Sequence, residues 1–172
     1  MKKTLLLITL ILSVLSLQSF AQKLEENKVD DFTNKSIKKT SWEVLYTTFT
    51  ANAYFSISSI DRIKYFDFRY QNGSVFSIDN GQELMFKLDN GDILKVQNLK
   101  YTLTCTGCGA KGLTGSGTQG IEVSYPFTDE QKEILKAHKV LKIRFYTNDG
   151  YVENDIKDKV ADKIQQAIKL IE

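Results

Sequence analysis

Alternation of apolar and polar side chains in short runs, broken by turn residues, constrains this chain more than any other feature of its sequence. Leu84, Phe86 and Leu88 alternate with Met85 and Lys87, and Asp89-Asn90-Gly91 turns that run into residues 92–97. Asn-Gly supplies the positive φ angles that a tight hairpin needs. Ile121, Val123 and Tyr125 alternate with Glu122 and Ser124. Leu141, Ile143 and Phe145 alternate with Lys142 and Arg144, and Asn148-Asp149-Gly150 leads on to residues 151–154. Over residues 62–70, Phe66, Phe68 and Tyr70 share one face while Ile63, Tyr65, Asp67 and Arg69 share the other. Leu99, Tyr101, Leu103 and Cys105 alternate with Lys100, Thr102 and Thr104, which predicts a strand with the first set facing inward. Residues 41–49, 54–60 and 75–78 complete the strand set. Successive side chains on a strand point to opposite faces, so the pattern predicts antiparallel strands with one face in a core and one in water.

Two segments break this period. Thr128-Asp129-Glu130-Gln131 has the form of a capping box and predicts a short helix to about His138. Residues 155–171 place Ile156, Val160, Ile164, Ala167, Ile168 and Ile171 on one stripe of a longer helix. The order predicts an α+β fold: a predominantly antiparallel β-sheet or sandwich, with a short helix and an amphipathic C-terminal helix packed on it. Residues 39–172 read as a single α+β domain. Residues 22–38 read as a polar N-terminal arm, ordered only by pairing with a sheet edge.

Residues 1–21 read as a signal peptide. Met1-Lys2-Lys3 is basic, residues 4–17 are apolar to small, and Ser19 and Ala21 occupy the −3 and −1 positions of a cleavage site before Gln22. The expected location is therefore secreted or periplasmic. Gln22 is not the cysteine that a lipoprotein needs, and the mature chain is expected to carry no membrane span. Cleavage removes 21 of 172 residues, including Lys2 and Lys3, so Lys+Arg falls from 23 to 21 against 21 Asp+Glu. A neutral mature chain gives no support for a nucleic-acid partner.

Cys105-Thr106-Gly107-Cys108 holds the only two cysteines, and in an oxidising compartment they are expected to form a disulfide. Thiol-disulfide catalysis draws on a helix N-terminus at the first thiolate, whereas glycines follow here. Zinc would need four ligands, against two cysteines and the single His138. Two GxGxxG strings, over residues 107–112 and 115–120, precede a strand and not the helix of a dinucleotide fold. Six of the ten glycines lie in residues 106–120, which predicts a mobile loop suited to function. His138, without a GxSxG partner, reads as a surface or capping residue. Asp79, Asp89, Asp92 and Asp149 belong to turns and lack EF-hand spacing. Tyr65, Phe66, Phe68, Tyr70 and Phe76 read as core, with a sugar or peptide platform as the other reading. No catalytic, cofactor-binding or metal-ligating residue is assigned, and no cofactor is expected.

The signal ending Ser19-Phe20-Ala21, the runs 75–79 and 83–88, the Cys105–Cys108 turn and the run 145–152 resemble small secreted proteins of Bacteroidota-type bacteria. The resemblance covers most of the mature chain. It implies location and a coherent domain, and it implies no activity. The expected function is an exported, non-enzymatic binding or cell-envelope-associated module, with an envelope or extracellular protein or glycan as partner. The alternative is a periplasmic hydrolase or thiol-disulfide enzyme assembled from scattered residues. A buried cleft with two carboxylates of perturbed pKa would mark the second, and an apolar or aromatic patch on a sheet the first. Intact mass of protein recovered from the periplasm or medium is expected to correspond to a chain starting at Gln22; a mass retaining residues 1–21 contradicts export with cleavage.

Overall fold

The computed structural model describes residues 22–113 and 115–172; the expected signal peptide lies outside the described residues. A seven-stranded antiparallel sheet is built from β1 (Leu24–Val29), β2 (Ser36–Thr40), β3 (Glu43–Thr47), β4 (Asn52–Ile60), β5 (Ile63–Gln71), β10 (Cys105–Thr106) and β11 (Gln119–Phe127). Its order is β1-β2-β4-β5-β11-β10, and β3 also pairs with β4. β2 and β3 thus share one edge of β4, β2 against Ser58–Ile60 and β3 against Asn52–Phe55, with Ser41 and Trp42 at the break between them. A four-stranded sheet runs β13-β12-β7-β8, from β7 (Glu83–Leu88), β8 (Ile93–Gln97), β12 (Val140–Thr147) and β13 (Gly150–Asp155). β6 (Ser77–Ile78) and β9 (Thr102–Leu103) form a separate two-stranded pair.

The two large sheets meet through aromatic side chains. Register aligns Phe55, Phe68 and Val123 in one row and Ile57, Phe66 and Tyr125 in the next, all on the inner face. From the other sheet, Phe86 meets Phe66 edge-on at 5.0 Å, and Phe145 sits 4.9 Å from Phe68 and 5.0 Å from Tyr70. Such tilted pairs place ring edges on ring faces and add to the gain from burial. The aromatic run is therefore core, apart from Tyr65.

The helices close this sandwich. In α1 (Asp129–Ala137), the Thr128 hydroxyl accepts from the Gln131 amide at 3.2 Å and the Gln131 carboxamide accepts from the Thr128 amide at 2.9 Å. Both halves of the capping box are formed, as the sequence predicts. α2 (Asp158–Leu170) buries Ala161, Ile164, Ala167 and Ile168, packing against α1 and the sheets. No helix among the described residues is long and apolar enough to cross a membrane.

Residues 22–38 form β1 and most of β2 and pair at the edge of the sheet, which runs on across residue 39. One expected inward row differs from the structure. Leu99, Tyr101 and Leu103, read as an inward row with Cys105, are exposed, while Thr104 is buried. The Thr104 hydroxyl accepts from the Phe76 amide and the Thr104 amide donates to the Phe76 carbonyl, which fixes the register of this segment polar side inward.

Ile164 is fully buried between helix and sheet. Ile164→Asp places a charge there, a change that costs several kcal/mol against a typical domain stability of about 5–15 kcal/mol. The variant is expected to lose cooperative thermal unfolding; a melting curve like the parent's contradicts the packing described.

Candidate functional site

β5 is covered on both faces. Beneath its aromatic row lie Tyr65, Asp67, Arg69 and Gln71, in register with polar partners on either side. Tyr54, Arg69 and Glu122 form one row; Ser56, Asp67 and Ser124 the next; Ser58, Tyr65 and Pro126 the third. The chain turns back over this outer face at Trp42, which is itself buried. The Arg69 guanidinium stands 3.8 Å from the centre of the indole ring and the Lys39 ammonium 5.1 Å from it. A cation over an indole face is attracted by the ring quadrupole, by about 0.5–2 kcal/mol. Arg69 is held further by Glu122 at 2.8 Å and by the Ala110 carbonyl at 3.2 Å.

The glycine-rich segment straps the end of this face. The Gln71 amide nitrogen donates to the carbonyls of Gly115 at 3.0 Å and Cys108 at 3.4 Å, and the Lys111 ammonium donates to the Trp42 carbonyl at 2.7 Å. Cys105 and Cys108 are joined, with their Cα atoms 5.2 Å apart. A Cβ on Gly120 would lie 2.0 Å from the Cys108 carbonyl oxygen. Gly107 has φ +79°, and a Cβ there would lie 2.8 Å from the Ser116 carbonyl oxygen. Glycine at these two positions permits backbone to lie against backbone. Neither GxGxxG string opens a helix, since β11 follows. His138 sits apart from both cysteines' turn, at the C-terminal cap of α1, with Nδ1 3.0 Å from Asp89 and Nε2 3.5 Å from Asn90.

Two clefts open on the outer face. The first, about 540 Å³, lies between β1, Trp42 and Lys111. Lys23, Lys39 and Lys111 line it, and none of the three has a carboxylate partner among the described residues. Of its acidic residues, Glu43 is paired with Lys163 at 2.6 Å and Glu26 with Lys28 at 3.5 Å. The second cleft, about 270 Å³, has Ile60, Tyr65 and Leu99 as walls, Lys100 at its side, and Ser58, Asp67 and Ser124 as floor.

Asp67 is only 5% exposed. Its carboxylate accepts from the Ser58 hydroxyl at 2.7 Å and from the Ser124 hydroxyl at 2.5 Å. Burial pushes its pKa above the ordinary aspartate value, and these two hydrogen bonds and the Lys39 charge offset only part of that. A small concave site with apolar walls, convergent polar groups and a perturbed acid is where binding or chemistry is expected. Asp67, Arg69 and Trp42 carry no spacing motif, so the sequence shows them only as an acid and a base on the polar face of a strand and a lone tryptophan. Comparison of the chain with protein families, curated proteins and solved structures gives no match.

A carboxyl whose pKa is raised on folding costs stability as pH rises: the unfolded chain ionises first, and the penalty is complete above the folded-state pKa. Asp67→Asn keeps an acceptor for one serine and removes the buried charge. It is expected to raise stability at neutral pH by about 1–3 kcal/mol, the scale of a buried polar group with incomplete partners. The gain shrinks as pH falls from the raised folded-state pKa towards the ordinary aspartate value and is lost below it, where the parent's Asp67 is neutral in both states. Thermal melts of both proteins from acid to neutral pH check this; a variant less stable than the parent at neutral pH contradicts it.

Proposed function

We propose that the protein is an exported, non-enzymatic binding module of the cell envelope or extracellular space, and that it takes an anionic ligand group in the cleft beside Trp42. One observation carries this reading: Lys23, Lys39 and Lys111 converge on a single cleft with no carboxylate partner among the described residues. Unpaired cations in a concave site raise the local potential and concentrate counter-charges there. Arg69 also lines the cleft, its orientation fixed by Trp42 and its charge paired with Glu122. Glu25 reduces the positive field without cancelling it.

The enzymatic alternative has one observation in its favour, the raised pKa of buried Asp67. Paired acid–base chemistry needs a second group tuned against the first. Asp67 has serines as its bonded neighbours, and Glu122, the carboxylate next to it on the face, is held by Arg69. Binding is therefore the better supported reading. Export rests on the basic, apolar and small-residue order of residues 1–21.

Titration with glucuronate at low ionic strength, followed by backbone amide shifts, tests the reading. The expected shifts lie around Lys39, Trp42 and Lys111, weaken with added salt, and disappear in the Lys39→Met, Lys111→Met double variant. Unchanged amides, or shifts that persist in the double variant, contradict an anion site at this cleft.

A further inference from the structure

The second cleft makes a demand of its own on a ligand. Both Asp67 oxygens accept a serine proton, so the Ser58 and Ser124 hydroxyls keep only acceptor capacity, as does the carboxylate. A floor made only of acceptors requires a ligand that brings donors. A carboxylate or phosphate brings no donor to that floor. The site also disfavours an ammonium group, because Lys39 faces Asp67 from β2 and Lys100 lines the cleft. A peptide backbone brings one carbonyl acceptor with every amide donor, and the Asp67, Ser58 and Ser124 floor has no donor for those carbonyls, which leaves them to Lys100 at the side. Neutral hydroxyl groups satisfy all of these conditions. The walls of Ile60, Tyr65 and Leu99 suit the apolar C–H face of a sugar ring, and about 270 Å³ is room for a small unit, not a drug-sized one.

The two clefts adjoin. Lys39 lines the first, and it stands opposite Ser58, which floors the second. Arg69 and Asp67 are two residues apart on one face of β5, a spacing of about 7 Å along the strand. We propose that the two clefts are neighbouring subsites of one site for an acidic saccharide, in which an anionic sugar lies beside Trp42 and the adjoining neutral sugar donates its hydroxyls to Asp67. This rests on the anion-binding reading of the first cleft. Tyr65 forms the ring-facing wall of the neutral subsite, and Asp67 sets its preference for donors.

Calorimetry with a tetrasaccharide of alternating glucuronate and N-acetylglucosamine, with glucuronate alone, with neutral chitotetraose and with an Asp-Ser repeat peptide tests the proposal. The tetrasaccharide is expected to bind the parent about tenfold or more tightly than glucuronate, the scale of one hydrogen bond to a charged group. Asp67→Asn is expected to lose that advantage, and Tyr65→Ala to lose part of it. A tetrasaccharide no tighter than glucuronate, or one bound equally by Asp67→Asn, overturns the second subsite and leaves the anion cleft standing. Chitotetraose or the peptide binding as tightly as the tetrasaccharide overturns the acidic-saccharide assignment. If neither glucuronate nor the tetrasaccharide binds, the anion cleft fails and the subsite with it.

Discussion

The structure depends on β5 being buried on both faces by unlike chemistry. A strand covered on both sides is ordinarily apolar throughout, because each unpaired polar group left without water costs energy. β5 alternates instead: Phe66, Phe68 and Tyr70 enter the aromatic core, while on the other face Arg69 lies against Trp42, Gln71 under the glycine-rich segment and Asp67 at the floor of the second cleft. Each of the three is satisfied locally, Asp67 by Ser58 and Ser124, Arg69 by Glu122 and Ala110, Gln71 by Cys108 and Gly115. Those contacts tie together otherwise separate pieces of chain: Cys108, Ala110 and Gly115 of the glycine-rich segment and the middle of β11.

The same layer gives the outer face its two clefts and their opposite preferences. Arg69 reaches toward Trp42 and leaves Lys39 and Lys111 without anionic partners among the described residues, so that end attracts negative charge. Two residues along β5, Asp67 turns the neighbouring end into an acceptor-only floor. A protein that served stability alone would hold an uncharged residue at this position. Burial raises the pKa of Asp67, and the two serine hydroxyls offset only part of that cost.

Much of the fold was legible in the sequence because it follows from local periods. The alternation of Ile121–Tyr125, the inward Ile143 and Phe145, the Asn90-Gly91 turn, the Thr128 capping box and the isoleucine stripe of α2 reappear as antiparallel strands, a capped α1 and a half-buried α2, while Leu141 is turned out by a bulge after Val140. Alternation says that two faces differ but not which one meets the core; Leu99, Tyr101 and Leu103 lie outward because Thr104 locks onto Phe76. Glycine content signals backbone freedom, and only the fold shows that Gly120 is needed for contact with Cys108. Residues 22–38 read as an arm that only a sheet edge could order, and they pair at one, because the backbone hydrogen bonds of an edge need no apolar side chains. The candidate site was illegible for a related reason. A polar residue on a strand normally faces water, and nothing near Asp67 in sequence announces that Trp42, 25 positions earlier, folds over that face.

The claim on which this account turns is that Asp67 is a buried acid at the floor of a cleft and not an ordinary surface carboxylate. The carboxyl carbon of Asp67, observed by NMR across an acid-to-neutral titration of the folded protein, reports on that directly. A midpoint above the ordinary aspartate range is the result the buried floor predicts. A midpoint at or below that range contradicts it, since it would show the carboxylate to be solvated or paired with a cation.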